Sequence, residues 1–291
     1  MMGCAVQSEK QLPIESSSPG KMKEEYKGKM PVLFLGHGSP MNAIEDNEFV
    51  RGFKDVASKL PAPKAILCVS AHWETRGTRV TAMTAPKTIH DFGGFSKALF
   101  DVQYTAPGSP WLAEETKKTV QLAPIELDHQ WGLDHGSWSV VKHLYPNADV
   151  PIVQMSIDTA LSPRQHFELA SELADLRSKG VLVVGSGNMV HNLGLVAWDK
   201  LNEVDYAFDW AKIASEKMKQ AIVNGTYDTL FDYRNQGREW NMAIPTPEHF
   251  IPMLYALALR SDKDDVTFFN DKAVAGALTM TSLFIHENKS E

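Results

Sequence analysis

Five histidines stand at places where a side chain has more to do than fill space. His37 lies between two glycines in FLGHGSP, directly after the apolar run PVLFL. His72 follows the apolar run AILCVSA, and His191 closes GSGNMVHN a few residues beyond VLVVGSG. His249 sits in PTPEHFIPMLY, and His135 follows Asp134 and precedes a glycine in WGLDHGSW. Neutral imidazoles are nitrogen ligands that suit zinc or non-haem iron better than calcium or magnesium. Burying several of them unpaired is costly, so a shared metal is the economical reason to gather them. No HExxH pattern and no cysteine zinc site occurs in the chain.

Gathering depends on the elements that carry them. Short apolar runs at 31–36, 65–71, 151–157 and 181–187 predict strands. Amphipathic stretches at 48–60, 109–123, 162–180 and 205–225 predict helices between them, with Ser162-Pro163 as a start signal and Gly180 as a stop. This alternation predicts an α/β fold: a single domain with a largely parallel central sheet flanked by helices. In such sheets ligands bind beyond the carboxyl ends of the strands. His37, His72 and His191 follow three predicted strands, so they should meet at that edge and place a metal site there. Thr246 as cap and Pro247 as first residue predict a helix with His249 on its first turn. WGLDHGSW has no strong periodicity; Asp134 is either an orienting partner for His135 or a loop aspartate in water.

Other features narrow the function. The chain has 291 residues, a net charge of -7 and 43% hydrophobic residues, which excludes a basic nucleic-acid footprint. No apolar run is long enough to span a membrane. Of two cysteines, Cys4 and Cys68, the second lies in an apolar run, so a reducing cytoplasm is expected. Residues 1–29 are polar and aperiodic and read as a flexible leader, with the MGC start leaving an acylated tail as the alternative; residues 30–291 read as a single folded domain. GSGNMVHN lacks the third glycine and the lysine of a nucleotide loop, and WGLDHGSW lacks the spacing of a nucleophile elbow around Ser137. Trp131, Trp138 and Phe92 can either wall a pocket for a flat ring or pack the core. His90, His143, His166 and His286 read as surface or satisfied structural residues, and His129 stays open.

LGHGSPMNAIED, VSAHWETRGTRVT, TIHDFGGF, YTAPGSP, WGLDHGSW, SGNMVHNL and PTPEHFIPMLY occur here in the order found in extradiol-type 4,5-DOPA dioxygenases. The chain resembles that family from about Met30 to about Ser282, and through it the class III, LigB-type extradiol ring-cleavage dioxygenases. The resemblance implies a mononuclear centre with iron(II) for activity, and zinc(II) in isolated protein. It also implies His37, His72, His191 and His249 as the metal set. His135 would be an active-site residue for proton transfer or substrate contact. Class III relatives use two histidines and a glutamate with a further histidine as acid/base, whereas here His249 stands at the late position with Glu248 beside it. His191 is therefore either a ligand or the acid/base. The implied reaction inserts O2 into a catechol, DOPA being cleaved at the 4,5 bond to seco-DOPA, the precursor of betalamic acid. Arg76, Arg164, Arg234 and Arg238 are candidate partners for a substrate carboxylate. The expected partners are a DOPA-like catechol and O2, with no nucleic acid and no membrane, and the expected state is a monomer. A zinc-dependent hydrolase or amidase and a non-enzymatic metal-binding protein are the competing readings.

Overall fold

The computed structural model describes residues 28–201 and 203–288. Most of the predicted leader, and the acylation question with it, lies outside them. Among the described residues ten strands run in chain order: β1 Val32–Gly36, β2 Ala65–Thr75, β3 Thr78–Thr81, β4 Ile125–Asp128, β5 Ile152–Asp158, β6 Val181–Gly187, β7 Asp264–Phe269, β8 Ala273–Val274, β9 Leu278–Thr279 and β10 Ser282–Glu287. Eight form one sheet in the order β4-β3-β5-β2-β6-β1-β10-β7, while β8 and β9 pair separately. The four predicted strands are its centre, β5-β2-β6-β1, and all three junctions there are parallel. The flanks depart from the parallel pattern: β3 meets β5, and β10 meets both β1 and β7, in antiparallel fashion.

Alternation along the central strands divides the core into two layers. Leu33, Leu35, Ile66, Cys68, Leu182 and Val184 pack with Phe53 and Val56 of helix Glu48–Lys59 and with Trp138 and Val141 of helix His135–Leu144. Val32, Phe34, Leu67, Val69 and Val183 face the other way, onto Leu169, Met218 and the helix Ile251–Ala258. Cys68 is a free, buried thiol, pushed up to about 12 mainly by burial. Among the described residues no helix is long and apolar enough to cross a membrane.

Three helix expectations change. The stretch 162–180 starts as predicted, with a capping box between Ser162 and Gln165, but is α-helical only over Pro163–Ser171 and tightens to a 3-10 helix over Glu172–Lys179, closing on left-handed Gly180. WGLDHGSW, read as aperiodic, opens a helix at His135 capped by the Asp134 carboxylate, which accepts from Ser137 N at 3.0 Å. The helix expected from Pro247 begins at Ile251. Pro252 explains the shift: it fits a first turn, whereas a start at Pro247 would place it in the interior, where the missing N–H breaks the ladder. Thr246 does not cap; its hydroxyl bonds Glu248 Oε1 at 2.9 Å, and Pro247 O takes the N–H groups of Phe250 and Ile251 in a turn.

One buried ion pair ties the margins to the centre. Arg177 is 1% exposed and makes a two-pronged contact with Asp264 at 2.7 and 2.9 Å, while donating to Met30 O at 2.6 Å and Leu259 O at 2.7 Å. It thereby joins the entry to β1, the end of helix Ile251–Ala258 and the start of β7. Burial alone would raise the Asp264 carboxyl, but Arg177 and Ser261 hold it down at about 2. Removing one partner of such a pair leaves an uncompensated buried charge. Asp264→Asn is expected to lower the unfolding free energy in urea by about 3–5 kcal/mol. Replacing Arg177 by Met and Asp264 by Leu together should cost clearly less than Asp264→Asn alone; a double variant as unstable as the single one would show that the pair is not the source.

Candidate metal and active site

The strand register explains why distant histidines share a location. Leu35 of β1 is level with Ser186 of β6, and Ser186 is level with Ser70 of β2. His37 and His72 each lie two residues beyond that row, so they project from the same face at the same height. β1 has just ended at His37, whose N–H is held by Gly187 O at 3.0 Å and whose carbonyl accepts from Asn42 Nδ2 at 2.9 Å. The two flanking glycines have separate causes. A Cβ at Gly36 would lie 2.5 Å from Met280 O, and Gly38 turns the chain at φ +62.

His72 is not past its strand, as expected, but inside it. β2 runs on to Thr75, and against β5 it pairs at Val69–Met155 and next at Glu74–Ile157. Five steps along β2 therefore match two along β5, a bulge that aims His72 out of the ladder.

The other histidines come from both helical layers. His135 is the first residue of its helix, on the layer that His37 and His72 face. His249 lies in the turn before Ile251–Ala258, on the opposite layer, and its carbonyl takes the N–H of Asn188 at 2.8 Å. His191, beyond β6, donates its N–H to Ala243 O at 2.9 Å.

All five imidazoles converge. Ring centroids of His37, His72 and His249 form a near-equilateral triangle with sides of 5.0, 5.1 and 5.3 Å. His135 flanks it at 3.9 Å from His72, and His191 stacks on His249 at 3.5 Å and 9°. Their donor atoms fall into two sets that could each hold a metal ion: His37, His72 and His135, and His191, Glu248 and His249.

Burial and crowding disfavour charge on three of these imidazoles, His37, His72 and His191. Burial, then the neighbouring rings of His72, His249, His135 and His191, hold His37 far below the ordinary imidazole value. His72 is lowered by burial and by His135 and His249, with Asp91 opposing. His191 is lowered to about 3 by burial and then His249. Burial pushes the Glu248 carboxyl up, but hydrogen bonds from His249 Nδ1, a backbone N–H and the Thr246 hydroxyl bring it down to about 2.

Hydrogen bonding shows that the donor set fits a metal. Ser186 Oγ gives its one proton to Gly136 O, so at 3.0 Å from His37 Nδ1 it can only accept. His37 is then the Nδ1–H tautomer, with the Nε2 lone pair directed at His72 Nε2, 3.3 Å away. His249 Nδ1 is 3.0 Å from the Glu248 carboxylate, an acceptor only, which likewise frees its Nε2. Imidazoles anchored through one nitrogen and open at the other are the pattern of metal ligands.

Several expectations separate here. Asp134 is fully buried, and its carboxylate is taken up by Ser70, Gln154 and the Ser137 N–H rather than by the His135 ring. It accepts from Ser70 Oγ at 2.7 Å and from Gln154 Nε2, and burial followed by Asp91 raises it to about 6. Asp91, which no sequence signal singled out, takes the orienting place: its Oδ1 accepts from His135 N at 2.8 Å, and its Oδ2 lies 3.0 Å from His135 Nδ1 and 3.4 Å from His72 Nδ1. Its place in TIHDFGGF, beside two glycines in an irregular stretch, was the only available hint. Ser186, inside a strand run, gave none.

Of the aromatic candidates, Phe92 meets the cluster, edge-on to His135 at 5.5 Å. Trp138 is core, its Nε1 donating to Ile89 O at 2.8 Å, and Trp131 stacks on Trp73 at 5.4 Å. Arg164 is committed to Asp228 at 2.8 Å and to the Phe231 face, and Arg234 lies over Tyr233. His90, His143 and His166 are occupied by Val102 O, Asn42 O and Tyr255 Oη at 2.9, 2.7 and 3.1 Å. His286 lies 3.1 Å from Glu287 O and stacks on Phe284 at 4.5 Å.

Comparison with known proteins places this architecture. Residues 31–281 match the catalytic LigB subunit of aromatic ring-opening dioxygenase. A protein named 4,5-DOPA dioxygenase extradiol from Escherichia coli is 44% identical over 261 residues, spanning 88% of this chain and 95% of that one. Its namesake from Beta vulgaris is 33% identical over 260 residues, with 86% and 94% covered. The crystal structure of an uncharacterised Escherichia coli protein superposes with a TM-score of 0.77 at 39% identity, covering 89% of this chain and 100% of that one. With a match over most of its length and the same mixed α/β architecture, the chain belongs to the LigB family of aromatic ring-opening dioxygenases.

Proposed function

We propose that this protein is an extradiol catechol dioxygenase that opens a DOPA-like ring at the 4,5 bond, with the metal held where the two histidine sets meet. The observation that carries this reading is the triangle of His37, His72 and His249, with His135 and His191 on its flanks. His37, His72 and His249 supply ligand nitrogens, and His191 is either a fourth ligand or a proton carrier. Bound there, iron(II) would hold the catechol oxygens, leave room for O2 and lower the pKa of a hydroxyl, whereas zinc(II) would fill the site without redox chemistry. The names of the relatives support DOPA as the substrate class.

The chain's own residues then have separate tasks. His135 takes the catechol proton at Nε2 and returns it later, because its Nδ1 side faces Asp91. Phe92 borders the ring-binding space next to His135. The buried free thiol of Cys68 suits a reducing, cytoplasmic setting, and we propose a monomer as the acting unit.

The deciding experiment reloads metal-stripped protein anaerobically with iron(II) and mixes it with L-DOPA and O2. Oxygen uptake with growth of a yellow product is expected. No uptake with DOPA or simpler catechols at full iron loading would defeat the dioxygenase reading, and hydrolysis without oxygen uptake would replace it by the hydrolase. Two substitutions divide the roles. His37→Ala should abolish metal retention measured by elemental analysis, and a normal metal content would remove His37 from the ligand set. His135→Gln should keep the metal and lower kcat by about 10²–10⁴-fold; near-normal turnover would move proton transfer to His191.

A further inference from the structure

We propose that Asp91 is a positioning residue that fixes the tautomers of His72 and His135 by sharing one carboxylate oxygen between their Nδ1 atoms, so that both rings present Nε2 lone pairs to the metal site. This rests on the reading of the histidine cluster as a metal centre.

The geometry is asymmetric in a useful way. Oδ1 is engaged by the backbone N–H of His135 at 2.8 Å, which pins the carboxylate to the start of helix His135–Leu144. Oδ2 is left to face both imidazoles, at 3.0 Å from His135 Nδ1 and 3.4 Å from His72 Nδ1. Both Nδ1 atoms lie within ion-pair reach of Oδ2 without the alignment of a hydrogen bond; because a carboxylate can only accept, its charge favours the tautomer that carries the proton on the Nδ1 facing it. The two rings lie 3.9 Å apart, close enough for one oxygen to serve both. With His72 so fixed, its Nε2 lone pair points at the Nε2 lone pair of His37, 3.3 Å away. Two lone pairs facing each other at that distance repel unless a cation lies between or beside them. Asp91 thus does for His72 and His135 what Ser186 does for His37 and Glu248 for His249. It is the one anchor of the three that serves two rings, and those rings belong to the proposed ligand and the proposed proton carrier.

Asp91→Asn separates tautomer control from support of the fold. The amide oxygen can still accept from His135 N, keeping the helix start, but the Oδ2 position becomes an N–H donor. Facing that donor, His72 and His135 must turn Nδ1 into an acceptor and move the proton to Nε2, where it blocks metal ligation. Zinc affinity of the full chain is read by competition with a chromophoric chelator, and ring tautomers of the metal-free protein by 15N NMR of the imidazoles. The unsubstituted protein is expected to bind zinc and to show Nδ1–H on His72 and His135. Asp91→Asn is expected to bind zinc about 10–100-fold more weakly with Nε2–H on both rings and unchanged thermal unfolding of the metal-free form. Asp91→Glu, which keeps an acceptor, should retain more of the affinity than Asn. Unchanged zinc affinity and tautomers in Asp91→Asn would overturn the assignment to Asp91 while leaving the metal site intact. Absence of zinc binding by the unsubstituted protein would overturn the metal-centre reading itself. If Asp91→Asn does not fold, the tautomers of the unsubstituted protein decide: Nδ1–H on both rings supports the proposal and Nε2–H on either defeats it.

Discussion

Everything at the functional edge of this protein follows from the crowding of imidazoles in a space too dry to charge His37, His72 and His191. His37 is 2% exposed and has other histidine rings on several sides, so a proton placed there would lose its hydration and meet like charges. A neutral imidazole is a donor at one nitrogen and an acceptor at the other. Which nitrogen faces inward is then settled by whatever touches the outer one. The site is therefore controlled as much by Ser186, Asp91 and Glu248 as by the imidazoles they hold.

That control reaches back into the scaffold through the Asp134 network. Asp134 takes bonds from Ser70 in β2, Gln154 in β5 and the N–H of Ser137, locking the start of the helix that delivers His135 to two central strands. Ser70 lies two residues before His72, and Gly136, one residue after His135, accepts the Ser186 hydroxyl. The same few residues thus set the height of His72, the orientation of His37 and the position of His135. A buried carboxylate with a full set of donors is expensive to assemble but rigid once assembled.

The part of this arrangement legible in the sequence was the part written in local pattern. Apolar runs identified β1, β2, β5 and β6, and the rule that ligands gather beyond parallel strand ends brought His37, His72 and His191 together. The flanking strands were missed because β3 and β4 are four residues each, and β7 alternates in exposure without a long apolar run. Asp134 was misjudged because burial inverts its meaning: an aspartate beside a histidine in sequence looks like its orienting partner. Once the helix begins at His135, Asp134 caps its backbone and spends its carboxylate on Ser137, Ser70 and Gln154. Asp91 was invisible for the complementary reason, since its partners lie 19 and 44 positions away and nothing local announces them. Arg177 likewise reads as one more charge in an amphipathic stretch until its four bonds are seen.

The two donor sets also come from different parts of the molecule, and this has a mechanical consequence. His37, His72 and His135 belong to the sheet and to one helical layer, whereas His191, Glu248 and His249 sit on the segment after β6 and on the turn that opens a helix of the other layer. The turn at Pro247 and the late helix start at Ile251 place His249 over the edge of the sheet rather than along the helix, within 5.3 Å of His37. A metal ligated from both sets would staple the two layers across the edge of the sheet that separates them. Metal affinity and the packing of helix Ile251–Ala258 are on this geometry two faces of the same constraint. The helix must start beside the end of β6 for His249, in the turn just before it, to reach the cluster, and a metal that holds His249 in turn holds the helix.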